Sequence, residues 1–231
     1  MKVFALNPPG KFIRTGRLVR KSKISTQSWQ PIMLAYLVGT LEKFGYECNL
    51  YDASMTNDTI LDTFNKIRLW KPDHIAFFWS YDTFREDLYF ANKLGELYDV
   101  TLVGPWSAHL PDAMVYFPKI NAMTFGEFEY ILPKLYSGEN KKNIQGLKYR
   151  EDNVILFNPQ GEPYTTEQLD WMPFVSDVYK RHLDISAYHQ TSFKHPFTDL
   201  FSARSCPYRC VSDNSIITMA NQTEKLLSDI K

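Results

Sequence analysis

What most constrains the folding of this sequence is an alternation. Short apolar runs, too brief for helices, are separated by longer segments with apolar residues at helical spacing. The runs are Val3 to Leu6, Cys48 to Tyr51, His74-Ile75-Ala76-Phe77-Phe78-Trp79, Val100 to Val103 and Ile120 to Phe125. Between them Leu34, Leu37, Val38, Leu41 and Phe44 mark one helical face, and Ile60, Leu61, Phe64 and Ile67 a second. Phe84, Leu88, Ala91 and Leu94 mark a third, and Tyr130 to Leu135 continue as a last helix. Pro31 suits a first helical turn, and Gly45 the end of that helix. This is the βαβα rhythm of a parallel sheet covered on both faces. The uninterrupted apolar run at 74–79 is that of a strand buried on both sides. The reading predicts a doubly wound α/β domain with five parallel strands over residues 1–138.

Composition narrows the classes of function. With 44% hydrophobic and 15% aromatic residues in 231, the chain can bury a large core, which excludes wholesale disorder. Lysine plus arginine equals aspartate plus glutamate at 26 each, so no net charge favours a nucleic-acid or acidic-membrane partner. The local cluster of Arg14, Arg17, Arg20, Lys21 and Lys23 reads as a solvated loop. The apolar run at Met1 to Leu6 is too short for a signal peptide, and no stretch is long enough to span a bilayer, so the expectation is a cytoplasmic protein. Three cysteines do not make a disulfide scaffold. In a reducing compartment the close pair Cys206 and Cys210 reads as a metal site.

After residue 138 the pattern changes. Residues 137–143 are turn-rich, and Leu147 to Arg150 with Val154 to Phe157 look like a hairpin. Pro159, Pro163 and Pro173 are expected to keep the chain after the hairpin irregular, so residues 139–200 read as an extended linker.

In such a sheet, ligands sit outside the carboxyl ends of the strands. The residues there are Asn7-Pro8-Pro9, Asp52, Ser80, Gly104-Pro105 and Gly126-Glu127. Glycine at two of these ends lets backbone approach a ligand closely. On spacing alone the same residues serve equally well as tight strand-to-helix turns.

A resemblance adds to this. The opening Asn7-Pro8-Pro9, the basic loop, and Pro31 with Leu34-Ala35-Tyr36-Leu37 and Leu41 to Glu47 resemble the start of B12-binding radical S-adenosylmethionine (SAM) proteins. Asp52-Ala53, Pro72-Asp73, Leu102 to Pro111, Gly126 to Glu129 and Gln168 to Pro173 come in that family's order, so the likeness runs to about residue 210. It implies a Rossmann-like, cobalamin-binding type of domain that holds cobalamin between itself and a catalytic barrel. The segments matching the cofactor-facing loops are Asn7-Pro8, Ser80, Gly104-Pro105, His109 and Gly126-Glu127. Val103 and Trp106 stand where the family usually has glycine and histidine. The Asp-x-His-x-x-Gly motif that places a histidine below cobalt in other B12 proteins is absent. His74 and His109 read as a strand and a loop residue rather than metal ligands.

The family's iron–sulfur motif is Cys-x3-Cys-x2-Cys, whose three thiolates hold a [4Fe–4S] cluster and leave one iron for S-adenosylmethionine. Cys206 and Cys210 match the first two positions, and Asp213 stands at the third. From Cys210 the sequence also resembles the first block of an intein, with Asp213-Asn214-Ser215 in place of Gly-Asp-Thr. That likeness makes Cys210 a splicing nucleophile attacking the Arg209 carbonyl. Removal of an intein would join Arg209 to a downstream residue and restore the motif if that residue is cysteine. The alternative is a degenerate tail.

The expected organisation is therefore a B12-binding-type domain at 1–138, a linker at 139–200, the start of a radical SAM domain at 201–210 and an intein-like, truncated tail at 210–231. The missing partner is the barrel or a complementing fragment, and the chain alone is expected to be inactive. A competing reading is a stand-alone cobalamin-like or flavodoxin-like module that binds a small ligand without catalysis.

Overall fold

A computed structural model describes residues 1–10, 28–56, 58–80, 83–104, 113–190 and 193–201. The elements are β1 (Lys2–Asn7), α1 (Ile32–Lys43), β2 (Glu47–Asp52), α2 (Ala53–Thr56), α3 (Ile60–Trp70), β3 (His74–Phe78), α4 (Phe84–Leu94), β4 (Asp99–Val103) and α5 (Ala113–Tyr116). They continue as β5 (Ala122–Thr124), α6 (Ile131–Tyr136), β6 (Leu147–Glu151), β7 (Val154–Phe157), α7 (Thr166–Trp171) and α8 (Val175–His182). One sheet runs β2-β1-β3-β4-β5-β6-β7. β1 to β5 are parallel, as the alternation predicts, and β6 and β7 are antiparallel.

The two faces obey the two-residue period of a strand. Val3, Ala5, Ala76, Phe78 and Val103 face one core, completed by α1, α6 and α8. Phe4, Leu6, Ile75, Phe77, Trp79, Val100 and Leu102 face the other, completed by α3, α4 and α5. Both faces are covered, so the fold is a doubly wound, Rossmann-like α/β sheet. The order reverses between β1 and β3, and in sheets of this kind ligands lie at the carboxyl ends of the strands at such a switch point.

Residues past 138 are more ordered than the proline pattern suggests. The expected hairpin joins the sheet edge, with Tyr149 opposite Ala122 and almost wholly buried. The sheet thus has seven strands rather than five, because β6 covers the edge that β5 leaves open. α7 starts with a Thr165–Gln168 capping box, so the prolines flank it instead of abolishing it. α8 packs on α1 at Gly39, where a Cβ would stand 2.6 Å from Pro173 Cβ and 2.7 Å from Val178 Cγ2. Glycine inside a helix costs about 0.5–1 kcal/mol relative to alanine; here it makes room for Pro173 and Val178. Glu42 fastens the same contact, 2.8 Å from His182 Nε2 and paired with Arg181. Among the described residues no helix is long and apolar enough to cross a membrane.

Candidate functional site at the carboxyl edge of the sheet

β1 ends in Asn7, which is 1% exposed and points its amide along the edge. Its Nδ2 donates to Asp52 Oδ1 at 2.6 Å and to Ser54 Oγ at 3.0 Å. Ser54 Oγ donates to the same Asp52 oxygen at 2.6 Å, and the Tyr188 hydroxyl donates to Asp52 Oδ2 at 2.9 Å. Burial, then the Asp52 charge and hydrogen bond, push the Tyr188 phenol well above its ordinary range. Pro8 comes next, also buried.

Ser80 lies just beyond β3, on the other side of the switch point. Its N–H donates to Asp87 Oδ2 at 3.1 Å, and Thr83 Oγ1 donates to that oxygen at 2.8 Å, which pins the loop to α4. Ser80 is fully buried, yet its Oγ finds no hydrogen-bond partner among the described residues. Beside it, Gly104 ends β4 with φ +138, and a Cβ there would lie 3.2 Å from Trp79 O. Only glycine suits that backbone without strain. Gly126 ends β5 with φ +79 and is touched by Gln160. Glu127 is half-buried next to it. The buried Glu129 accepts from the Tyr164 hydroxyl at 3.0 Å. Burial, then Glu129 and Glu127, raise the Tyr164 phenol strongly. The segment after β7 thus lies across the end of β5.

The structure brings Asn7, Pro8, Ser80, Gly104, Gly126 and Glu127 to one edge. Pro105, His109, Cys206, Cys210 and Asp213 lie outside the described residues. His74 sits at the opposite edge, as a strand residue: its Nδ1 is 2.8 Å from Asp99 Oδ2, and its ring stacks on Tyr136 at 4.3 Å. Burial, with Glu42 and Glu47 nearby, pushes the Cys48 thiol up to about 12. It is therefore no thiolate nucleophile. No group of three or more metal-ligating side chains occurs among the described residues.

The sequence pattern did not reveal Ser54, Asp87 or Tyr188 as parts of this edge. Asp52 was visible as a strand end, but Tyr188 is 136 residues away and carries no local signal. From Tyr188 onward the chain returns to the start of α1. Ser28 N donates to His189 O and His189 N to Ser28 Oγ, both at 2.7 Å, and Gln30 Nε2 donates to Phe197 O at 2.8 Å. Phe201 stacks on Tyr36 with ring centres 5.8 Å apart. The start of α1 lies at the carboxyl edge, so the chain is delivered there just before residue 202.

Solved structures share the fold. OxsB, a cobalamin-dependent SAM radical enzyme solved with aqua-cobalamin and S-adenosylmethionine, superposes with a TM-score of 0.53 at 16% identity, over 70% of this chain and 22% of its own. TsrM from Kitasatospora setae, a radical SAM methyltransferase solved with cobalamin and a [4Fe–4S] cluster, gives 0.52 at 17% identity, over 72% and 30%. The chain shares the fold of the matched part of these cobalamin-dependent radical SAM enzymes. The tryptophan-bound form of TsrM gives 0.50 at 18% identity, over 70% and 30%. The chain therefore spans less than a third of the length of these radical SAM proteins. No protein-family model and no curated protein matches the sequence.

Proposed function

We propose that the chain is the cobalamin-binding domain of a radical SAM enzyme, with cobalamin lying across the carboxyl edge of the sheet. The observation that carries this reading is Ser80. A buried hydroxyl without a partner costs about 1–3 kcal/mol, and this one sits at the switch point beside a glycine that keeps side chains away. A ligand that displaces what covers Oγ and makes one hydrogen bond there removes that cost. Asn7, Pro8, Ser80, Gly104, Pro105, His109, Gly126 and Glu127 are the residues that hold it. Bound cobalamin supplies methyl-carrying or related cobalt chemistry, and the protein supplies position.

Cys206 and Cys210 belong, on the same reading, to the loop that holds a [4Fe–4S] cluster and S-adenosylmethionine in the complete enzyme. Asp213 at the third position is a poor substitute for a thiolate. The chain as it stands should therefore release only background 5′-deoxyadenosine after anaerobic reconstitution. The intein-like sequence from Cys210 supports a role for that thiol as a splicing nucleophile. Expressed with its downstream sequence, the wild type should yield a product joining Arg209 to a downstream cysteine, and Cys210→Ala should abolish it; ligation by Cys210→Ala would sink the idea.

Equilibrium dialysis against hydroxocobalamin tests the cofactor site. Retention is expected, and none at high cofactor concentration overturns the reading. The strand order also suits a flavodoxin-like module for another small ligand. Retention of flavin mononucleotide instead of cobalamin would favour that alternative.

A further inference from the structure

Residues 188–190 and 193–201 form a strap that crosses from α8 back to α1, and Asp52 lies under its first residue. We infer that the Asp52 carboxylate is a latch. It holds the strap on the carboxyl edge and so positions the chain that leads into Cys206. The inference deepens the proposed function, since it concerns how the cysteine loop is aimed at the cofactor edge.

The two oxygens of this carboxylate face two different parts of the molecule. Oδ1 takes hydrogen bonds from Asn7 and Ser54, at the ends of β1 and β2. Oδ2 takes one from Tyr188, on the strap. Asp52 is 3% exposed and Tyr188 2%, so both groups are out of water and their bond is strengthened by the low local dielectric. A hydrogen bond to a charged group contributes about 1.5–3 kcal/mol.

The rest of the strap is held by weaker means. Beyond Tyr188 the described contacts are the bonds to Ser28 and Gln30, the Tyr36–Phe201 stack with Phe201 N donating to the Tyr36 hydroxyl at 3.3 Å, and edge-on contacts of Trp29 with Phe193 and Phe197 at 6.1 and 6.2 Å. Two buried polar atoms along this contact, Gln30 Oε1 and Gln190 Nε2, have no hydrogen-bond partner among the described residues. Of these fastenings, the Asp52–Tyr188 bond is the one made to a charged group. Its reach matters because Cys206 comes five residues after Phe201, a stretch that extends at most about 18 Å. Docking Phe201 on Tyr36 therefore limits how far from that point the chain can carry the first cysteine.

Hydrogen exchange of the ligand-free full chain tests the latch. In Tyr188→Phe the amides of Ser28, His189 and Phe201 should exchange about tenfold faster or more, as expected from losing a hydrogen bond to a charged group. The amides of β1 and β3 should be unchanged. Asp52→Asn, whose neutral oxygen accepts more weakly, should give a smaller rise at the same amides. Strap amides at wild-type rates in Tyr188→Phe would overturn the latch. So would a strap and strands that accelerate in step, which would make the bond a contributor to global stability only. If Tyr188→Phe does not fold, Asp52→Asn decides alone, wild-type strap rates counting against the latch. Cobalamin dialysis on the wild type reports separately on the cofactor site, so either idea can fail while the other stands.

Discussion

The two edges of the sheet solve the same problem in opposite ways. At the amino edge, polar groups pair with each other near the surface. Lys2 N donates to Asp73 at 2.7 Å, Lys2 Nζ pairs with Glu47 at 3.2 Å, and Asp99 joins His74 and Asn121 at 2.8 and 2.9 Å. Such exposed pairs contribute roughly 0–1 kcal/mol each and tolerate change. At the carboxyl edge, Asn7, Asp52, Ser54, Ser80 and Asp87 are all 5% exposed or less. Burying polar atoms costs free energy unless each is bonded, and there the Ser80 hydroxyl remains without a partner among the described residues. That concentration of buried polar groups supports the proposed ligand site at the carboxyl edge; the Tyr136 hydroxyl, beside His74 toward the amino edge, also has no partner among the described residues.

The largest effect should come from Gly104→Val. A side chain there meets Trp79 O and must adopt φ +138, a strain of about 1–3 kcal/mol. Urea unfolding should register that loss, and cobalamin retention should fall by about tenfold or more, equivalent to about 1.4 kcal/mol. The matching change at the amino edge is Gly45→Ala. Gly45 has φ +85, but a Cβ there meets nothing within 4 Å. It should cost about 1 kcal/mol of backbone strain and leave retention untouched. If both variants reduced retention equally, the distinction between the edges would collapse.

How far the sequence announced this arrangement differs along the chain. The apolar runs exposed the five parallel strands and the rule that ligands lie at their carboxyl ends, because strand period and helix period are local signals. Asn7, Ser80 and Gly104 could be nominated for that reason. The docking of the hairpin onto β5 was hidden, since Leu147 to Phe157 reads the same whether it stands alone or extends a sheet. α8 was hidden by Pro173, which precedes it and lies against Gly39 of α1. The Asp52–Tyr188 bond joins residues 136 positions apart, and no periodicity carries such a pairing.

A middle-sized effect belongs to Ser80→Ala, and its two readouts should move in opposite directions. Removing a buried hydroxyl that has no partner among the described residues should leave the ligand-free protein as stable as before or more stable by about 1 kcal/mol. Cobalamin retention should drop by about fivefold, the worth of one ordinary hydrogen bond. A loss of stability with retention intact would mean that Oγ serves the fold and not a ligand.

The smallest effect should come from Asp99→Asn at the amino edge, and it appears only against pH. Burial works against the Asp99 charge, but the hydrogen bonds from His74 and Asn121 outweigh it and hold the carboxyl below its ordinary value of 3.8. A carboxyl depressed by folding stabilises the native state above its unfolded pKa, and that contribution disappears as pH falls through the folded value. The wild type should therefore exceed Asp99→Asn in stability between about pH 5 and about pH 7, by a small margin because solvent screens this edge. Below about pH 4 the two urea midpoints should converge. Cobalamin retention at neutral pH should be the same for both, since Asp99 begins β4 and the ligand edge lies at its other end. A gap that widens in acid would show that Asp99 is raised rather than depressed. A fall in retention would show that the amino edge takes part in binding, and would undo the contrast between the two ends of the sheet.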